Sequence, residues 1–322
     1  MTSSDITIIG AGPAGLYASY YAGFRGFKVT LIDALSEIGG QVTAMYPEKE
    51  IFDIAGLPAI KGRELISQLW GQASQFPIDL NLSEKAVGLK QTASGWQITC
   101  ESGFEVVSKA VVITGGIGSF TPRPLPTGME WLGRGLVHFV TSLEAHRGKD
   151  VVIVGGGDSA FDWAYSLIPI ANSVTLVHRR AEFRAHETTV EKVRQLGARL
   201  ITNAEINDLK GSDAVEYVEV KTESGTETIP TQLVIAALGF VANIGELANW
   251  GLELEMRHIK VNTRMETNFP GVFAAGDLAT FEGKVPLISV GFGEAALAVN
   301  NAAPYIRSGI SVFPGHSSGE SH

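Results

Sequence analysis

The chain has 322 residues and a formal net charge of −9, with 25 lysines and arginines against 34 aspartates and glutamates. This acidic balance disfavours nucleic acid and anionic membranes as partners, because both are bound through basic faces. The single cysteine, Cys100, excludes an intrachain disulphide and a multi-cysteine metal centre, and we expect no metal site. The N-terminus enters an apolar strand without a basic and apolar leader, which favours a cytoplasmic protein.

The first motif is a dinucleotide-binding unit at the start of the chain. DITIIGAGPAGLYASYYAGFRGFKVTLIDA, residues 5–34, predicts a strand, a helix and a second strand, with Gly10-x-Gly12-x-x-Gly15 where the first strand ends. The glycines let the backbone approach a pyrophosphate at the N-terminus of the helix. Asp33, at the end of the second strand, is placed to accept hydrogen bonds from ribose hydroxyl groups.

The same pattern recurs near the middle of the chain. DVVIVGGGDSAFDWAYSLIPIANSVTLVHRR, residues 150–180, contains Gly155-x-Gly157-x-x-Ala160, and alanine is an accepted variant at the third position. The two units align without a gap, so His178 stands where the first unit has Asp33. Asp158 and Ser159, at the start of the second helix, are expected to shape the pyrophosphate end of this site.

A cationic cluster follows the last strand of the second unit. His178, Arg179 and Arg180 come directly after the strand, and Arg184 follows one turn later. A carboxylate repels a 2′-phosphate, whereas arginine binds phosphate oxygens bidentately. The first unit therefore fits a nucleotide without a 2′-phosphate, for which FAD is the usual choice, and the second fits NADP(H). The alternative for the cluster is a solvated basic face before a helix.

Two passages from a buried strand to a linker flank the second unit, one at 110–124 with a glycine- and proline-rich exit and one at 233–243, and they predict that the chain leaves the first domain and later returns to it. The predicted fold class is α/β, with two Rossmann-like dinucleotide-binding domains of the three-layer ββα type and the NADPH domain inserted into the FAD domain. The predicted boundaries are 1–116 and 243–308 for the FAD domain, 117–242 for the NADPH domain and 309–322 for a C-terminal tail.

Two further stretches extend the expected flavin site. NFPGVFAAGDLAT, residues 268–280, predicts a short apolar strand ending at Asp277, which would meet the ribityl–pyrophosphate region of FAD. Gln41 and Tyr46 lie on a loop after the first unit, near the expected path of the flavin. For Tyr46, ordinary packing of an aromatic side chain is an equally open interpretation.

The motifs GAGPAG, GGGDSA, HRRAEFRAH and AAGD resemble those of the low-molecular-weight thioredoxin reductases over nearly the whole chain. That family carries a CxxC pair before the second fingerprint, where this chain has HFVT, His138–Thr141. Without a dithiol, reduced flavin has no usual route to a protein disulphide. GGQVTAMYPEKEIFDIAG and GFGEAALAVNNA are more similar to the thioredoxin-reductase-like ferredoxin–NADP+ reductases, which also lack CxxC.

This second resemblance implies a homodimer whose FAD exchanges hydride with NADP(H) and single electrons with ferredoxin or flavodoxin. It also implies a tail that covers the flavin of the partner subunit. Tyr46 and His316 are the candidates for stacking on the flavin ring, and no acid or base is nominated. The FAD candidates are Gly10, Gly12, Pro13, Ala14, Gly15, Asp33, Gln41, Tyr46, Val87, Phe120, Asp277 and Ser318. The NADP candidates are Gly155, Gly157, Asp158, Ser159, His178, Arg179, Arg180 and Arg184.

Two other functions share these motifs. One is an NADPH oxidase or quinone-type flavin reductase, in which a small molecule takes the electrons. The other is an NADPH-binding redox sensor with negligible turnover. A thiol–disulphide reductase is disfavoured because the chain has one cysteine.

Overall fold

A computed structural model describes residues 2–116 and 118–315 of the chain. Its contacts divide the chain into two units. Unit one comprises the described residues of 1–44, 50–119 and 242–322, and unit two comprises 45–49 and 120–241. None of the helices in the described ranges combines the length and the hydropathy needed to cross a membrane.

The elements are numbered along the chain. The helices are α1 (Pro13–Phe24), α2 (Gln41–Met45), α3 (Gly62–Ala73), α4 (Asp158–Leu167), α5 (Glu187–Gln195) and α6 (Ile288–Ile306). Short 3-10 turns lie at Met129–Trp131, Glu144–His146, Gly245–Asn249 and Gly276–Leu278. The first strands are β1 (Thr2–Ile9), β2 (Val29–Ile32), β3 (Glu50–Ile51), β4 (Ile60–Lys61), β5 (Ile78–Asn81), β6 (Ala86–Thr92), β7 (Gly95–Cys100), β8 (Glu105–Ile113) and β9 (Ser119–Pro122).

The remaining strands follow in the same order. Those of the middle of the chain are β10 (Leu136–Val137), β11 (Asp150–Val154), β12 (Ser173–Val177), β13 (Arg199–Ile201), β14 (Glu205–Gly211), β15 (Val215–Thr222), β16 (Gly225–Pro230), β17 (Leu233–Ala236) and β18 (Phe240–Asn243). The last are β19 (Leu254–Glu255), β20 (His258–Lys260), β21 (Val272–Ala274) and β22 (Ala279–Thr280). The strands β9 and β18 pair with each other.

A seven-stranded sheet forms the centre of unit one. Its strands lie in the order β5-β2-β1-β8-β7-β6, and β21 also pairs with β8. The strands β5, β2, β1, β8 and β21 run parallel, whereas β7 is antiparallel to both β8 and β6. β8 changes partner along its length, with β7 against its first residues and β21 against Val111, Val112 and Ile113.

The sequence of the central strands explains their position. Ile6, Ile8 and the intervening Thr7 of β1 are all fully buried, as expected for a parallel strand that is covered on both faces. α1 begins with Pro13, whose fixed φ and missing N–H suit the first position of a helix. α1 packs against α3 and α6, and α6 also packs against β8 and β21.

Unit two has three layers. Its parallel sheet has the order β10-β17-β11-β12-β13, and β14, β15 and β16 form an antiparallel meander. Alternate residues of β11 enter two apolar clusters: Val151 and Ile153 pack with Phe161 of α4, while Val152 packs with Val218 of the meander. The helices and the meander therefore cover opposite faces of the sheet, and the predicted fold class is confirmed.

Candidate functional site

The first fingerprint forms a tight turn between β1 and α1. Gly10 has a φ of +109°, and a Cβ built there would lie 2.6 Å from the carbonyl oxygen of Thr114. A Cβ built on Gly15 would overlap the carbonyl oxygen of Gly10. Both positions therefore require glycine, because the strand and the helix approach too closely for any side chain.

The N-terminus of α1 fits an anionic group. Gly12 precedes the helix in an extended conformation, and no side chain among the described residues caps it. A Cβ built on Gly12 would find no atom within 4 Å, so the backbone faces open space there. The first N–H groups of a helix lack intrahelical partners and lie at the positive end of its dipole. A pyrophosphate supplies the oxygens and the charge that such a cradle binds.

Asp33 stands beside this cradle with an ordered carboxylate. Its side chain is 8% exposed, Ala11 N–H donates to Oδ2 at 2.5 Å, and Leu35 N–H donates to Oδ1 at 2.8 Å. Burial raises the pKa of Asp33, and the hydrogen bonds from Leu35 and Ala11 partly offset this rise. A carboxylate offers about four lone-pair sites, so two remain to accept ribose hydroxyl groups.

Asp277 lies close to the fingerprint. It belongs to the 3-10 turn Gly276–Leu278, which follows β21. Asp277 itself is half-buried. A Cβ built on Gly276 would come 3.1 Å from the Cβ of Ala14, the second residue of α1. The turn and the first helix therefore meet at two small residues, and the structure brings Asp277 and Ala14 to one place.

Two other candidates of unit one are also half-buried. Gln41 begins α2, and its Nε2 would lie 2.8 Å from a Cβ built on Gly116. Val87 lies in β6, where its carbonyl accepts a hydrogen bond from Trp250 Nε1 at 3.1 Å. That carbonyl keeps a second lone pair for another donor.

The second fingerprint repeats the open helix N-terminus in unit two. Gly157 precedes α4 without a side-chain cap from the described residues, and a Cβ built on it would find no atom within 4 Å. Asp158 and Ser159 are exposed in the first turn. Asp158 Oδ1 accepts a hydrogen bond from His186 N–H at 3.0 Å, so it holds the loop that carries the cationic cluster.

His178 supports this loop from inside. Its imidazole is 7% exposed, and a Cβ on Gly156 would overlap it. The ring stacks on Phe183 with centroids 5.4 Å apart, and Nε2 lies 3.2 Å from the carbonyl oxygen of Glu182. Burial lowers the pKa of His178, and the contact with Glu182 offsets this only in part. The neutral ring therefore shapes the loop, a role that the sequence did not distinguish from phosphate binding.

The three arginines of the cluster are exposed. Among the described residues, no carboxylate pairs with the guanidinium groups of Arg179, Arg180 or Arg184. Arg184 N–H donates to the carbonyl of Gly156 at 2.7 Å, which ties the loop to the fingerprint. Solvated, unpaired arginines beside a helix N-terminus fit a second phosphate.

Tyr46 is placed in unit two. It belongs to the segment 45–49 and packs against the apolar cluster that contains Phe161. In the same segment, Lys49 forms an ion pair with Asp162 of α4. This contact agrees with aromatic packing, the interpretation that the sequence left open, and stacking of Tyr46 on a flavin stays a prediction. His316, Ser318 and the side chain of Phe120 lie outside the described part of the chain.

The sequence reasoning missed a buried ion pair in unit one. Lys284 and Glu294 contact each other beside Gly276, with side chains that are 10% and 4% exposed. The available signal was a lone glutamate among small and apolar residues in GFGEAALAV. Such a charge calls for a buried partner, but a sequence without structure does not say which lysine supplies it.

Comparison with known proteins decides the family. The model of the family "Pyridine nucleotide-disulphide oxidoreductase" matches residues 4–302. The chain belongs to this family. It is 55% identical over 316 residues to the ferredoxin–NADP reductase of Frankia alni, with 98% of each chain covered. It is 53% identical over 318 residues to the ferredoxin–NADP reductase of a Nocardioides species, with 98% of this chain and 96% of that protein covered.

A solved structure of known function has a similar fold to this chain. Thioredoxin reductase from T. acidophilum matches with a TM-score of 0.77 and 26% identity over 94% of this chain and 98% of that one. The ferredoxin–NADP reductase relatives, together with this thioredoxin reductase fold, confirm the resemblance to thioredoxin-reductase-like ferredoxin–NADP+ reductases.

This member of a disulphide oxidoreductase family has no pair of thiols. Cys100 is its one cysteine, and it is buried in β7. Burial, followed by the nearby carboxylate of Glu84, raises the pKa of Cys100 to about 11. A thiol needs its thiolate form to react, so Cys100 is inert near neutral pH.

Proposed function

We propose that the chain is an NADPH-dependent flavoprotein reductase that passes electrons through FAD between NADP(H) and ferredoxin. The observation that carries the proposal is the contrast at one position of two alignable units. Asp33 ends the second strand of the first unit, whereas exposed Arg179 and Arg180 follow His178 in the second. The Frankia and Nocardioides relatives support ferredoxin as the electron partner, because they are named for it.

We assign the cofactors by the chemistry of the two cradles. Gly12, the N-terminus of α1 and Asp33 fit the pyrophosphate and a free ribose of FAD. Gly157, the N-terminus of α4 and the exposed arginines fit the pyrophosphate and 2′-phosphate of NADP(H). The assignment gives FAD the segments 1–116 and 243–308, NADP(H) the segment 117–242, and leaves 309–322 as a tail.

The residues of the chain bind and orient the reactants. Bound FAD supplies the hydride and one-electron chemistry. Transfer of hydride needs no protein acid or base, so the contribution of the chain is to bind and orient each nucleotide. Asp33 fixes the ribose end of one nucleotide, and Arg179 with Arg180 fixes the phosphate end of the other. Dimerisation, flavodoxin as a partner, a cytoplasmic location and the roles of His316 and Ser318 stay predictions.

The test is an anaerobic assay of the purified protein reconstituted with FAD. NADPH is mixed with the protein and cytochrome c as reporter, with and without an iron–sulphur ferredoxin. We expect reduction of cytochrome c to depend on ferredoxin, and NADH to replace NADPH poorly. Rapid flavin reduction without any effect of ferredoxin or flavodoxin would contradict the proposal and favour a small-molecule acceptor. Bound flavin with negligible turnover on all acceptors would favour a redox sensor.

A further inference from the structure

A buried ion pair holds the turn that carries Asp277. Lys284 Nζ contacts Glu294 Oε1, and the two side chains are 10% and 4% exposed. Glu294 Oε2 accepts a hydrogen bond from Gly276 N–H at 2.8 Å. Lys284 Nζ donates to the carbonyl oxygen of Gly276 at 3.1 Å. Both backbone polar groups of Gly276 are therefore bound by this one pair.

The surrounding packing leaves the turn little freedom. Gly276 has a φ of +76°, and a Cβ built on it would come 3.1 Å from the Cβ of Ala14. A Cβ built on Gly291 of α6 would lie 3.4 Å from Gly276 Cα and 3.7 Å from Ala14 Cβ. The first fingerprint helix, the turn and α6 thus meet at three small residues, one of which, Gly276, is bound by the ion pair.

An ion pair at this depth is not explained by stability. Removing two charges from water costs free energy that their attraction often fails to recover, and apolar residues of similar size commonly do as well or better. Apolar side chains, however, leave the N–H of Gly276 without a partner and its C=O with only the hydrogen bond from Ala279 N–H. The pair satisfies both groups at once, and it thereby fixes the orientation of the peptide next to Asp277.

We infer that Lys284 and Glu294 are positioning residues for FAD, which hold the Gly276–Asp277 turn against Ala14 so that the turn can receive the dinucleotide. The inference rests on the proposed function. The pair does not touch reacting atoms; it acts through the backbone of Gly276. Lys284 lies before α6 and Glu294 within it, so the pair also joins that helix to the turn.

The experiment measures the FAD dissociation constant of apoprotein, by quenching of flavin fluorescence, for four variants. Glu294→Ala and Lys284→Gln each leave an uncompensated buried charge, and we expect FAD binding to weaken at least tenfold. Glu294→Gln keeps an acceptor for Gly276 N–H and is expected to rescue part of the loss seen with Glu294→Ala. Lys284→Met/Glu294→Gln contains no unpaired charge, so its apoprotein should melt close to the parent while FAD binding stays several-fold weaker.

The control variant is Glu101→Gln, which breaks the exposed pair of Glu101 with Lys85 in the same unit, 3.7 Å apart. It should bind FAD like the parent. Unchanged FAD affinity in Glu294→Ala and Lys284→Gln would overturn the inference, as would full parental affinity in the double variant. If the loss of FAD affinity across the variants only paralleled the decrease in apoprotein melting temperature, the inference would also be overturned. A parent protein that binds no FAD would instead overturn the proposed function.

Discussion

The two fingerprint regions have nearly the same backbone and opposite chemistry. Each has an open glycine before a helix that no described side chain caps, Gly12 before α1 and Gly157 before α4. At the end of the next strand, Asp33 and His178 are almost equally buried, at 8% and 7% exposed. Asp33 presents a carboxylate that two backbone N–H groups hold, whereas His178 is a buried, neutral ring and the arginines that follow it are exposed.

In the proposed assignment, the difference between the two units explains how one fold selects two nucleotides. The helix N-terminus supplies a binding site for pyrophosphate that is the same in both units. In this assignment, the charge of the residues at one strand end decides whether a 2′-phosphate is repelled or bound. In the second unit the aligned residue does not carry that charge itself. His178 is buried, and the residues after it bring the guanidinium groups to the surface.

The largest effect is expected at the third position of the two fingerprints. Gly15→Ala places a Cβ on the carbonyl oxygen of Gly10, so it should cost about 3 kcal/mol or more and abolish retention of FAD. The matched change in the second unit, Ala160→Gly, creates no clash and should cost about 1 kcal/mol, the usual penalty for glycine in a helix. Chemical denaturation and flavin content after gel filtration measure both. Equal decreases in the free energy of unfolding for the two variants would show that the two turns are packed alike.

The next effect concerns the cofactor preference of the second unit. Arg179→Gln/Arg180→Gln removes two charged donors, and we expect kcat/KM for NADPH to fall roughly 100-fold while that for NADH changes by less than about twofold. Steady-state kinetics with both cofactors provide the comparison. Arg194→Gln is the control, since Arg194 is an exposed arginine that pairs with Glu191 at 2.9 Å. Equal losses with NADPH and NADH would contradict the assignment of NADP(H) to this unit.

The smallest effect tests whether His178 is neutral. Because burial lowers its pKa, the unfolded chain takes up a proton near the ordinary histidine value while the folded chain resists it. The free energy of unfolding should therefore decrease as pH falls below about 6.5, by up to about 1 kcal/mol at about pH 5.5. His178→Asn should weaken this dependence, with a remainder from His146, whose pKa burial also lowers, and the exposed His258→Asn should leave it unchanged. If the stabilising contribution of His178 to the free energy of unfolding instead increased as the pH fell, the ring would be charged in the folded protein.

The sequence predicted those parts of the molecule that depend on a local pattern of residues. The strand, glycine turn, helix and terminal charged residue of each unit are contiguous in the chain, so periodicity and spacing identify them. The parallel arrangement around β1 and β11 follows from the same units, because a helical crossover joins parallel strands. The family resemblance then supplied what no local pattern contains, namely the prediction that ferredoxin is the partner.

The remaining features depend on contacts between distant residues. Lys284 and Glu294 bind Gly276 only because α6 folds back onto the turn, and nothing near Gly276 in the sequence indicates this. The burial of His178 is likewise set by Gly156, whose missing side chain makes room for the ring. Tyr46 packs in unit two although the stretches on both sides of its segment 45–49 lie in unit one, which a reading along the chain does not predict.

The change of partner along β8 has a consequence for synthesis. Val111, Val112 and Ile113 pair with β21, which is made only after every strand of unit two. As the chain leaves the ribosome, the interrupting unit can therefore finish its sheet before the unit it interrupts. β1 covers one side of these three residues, but until residue 274 emerges their other side lacks its strand neighbour and presents an open edge suited to wrong pairing. The order of the strands therefore leaves that edge unpaired for as long as unit two takes to be made.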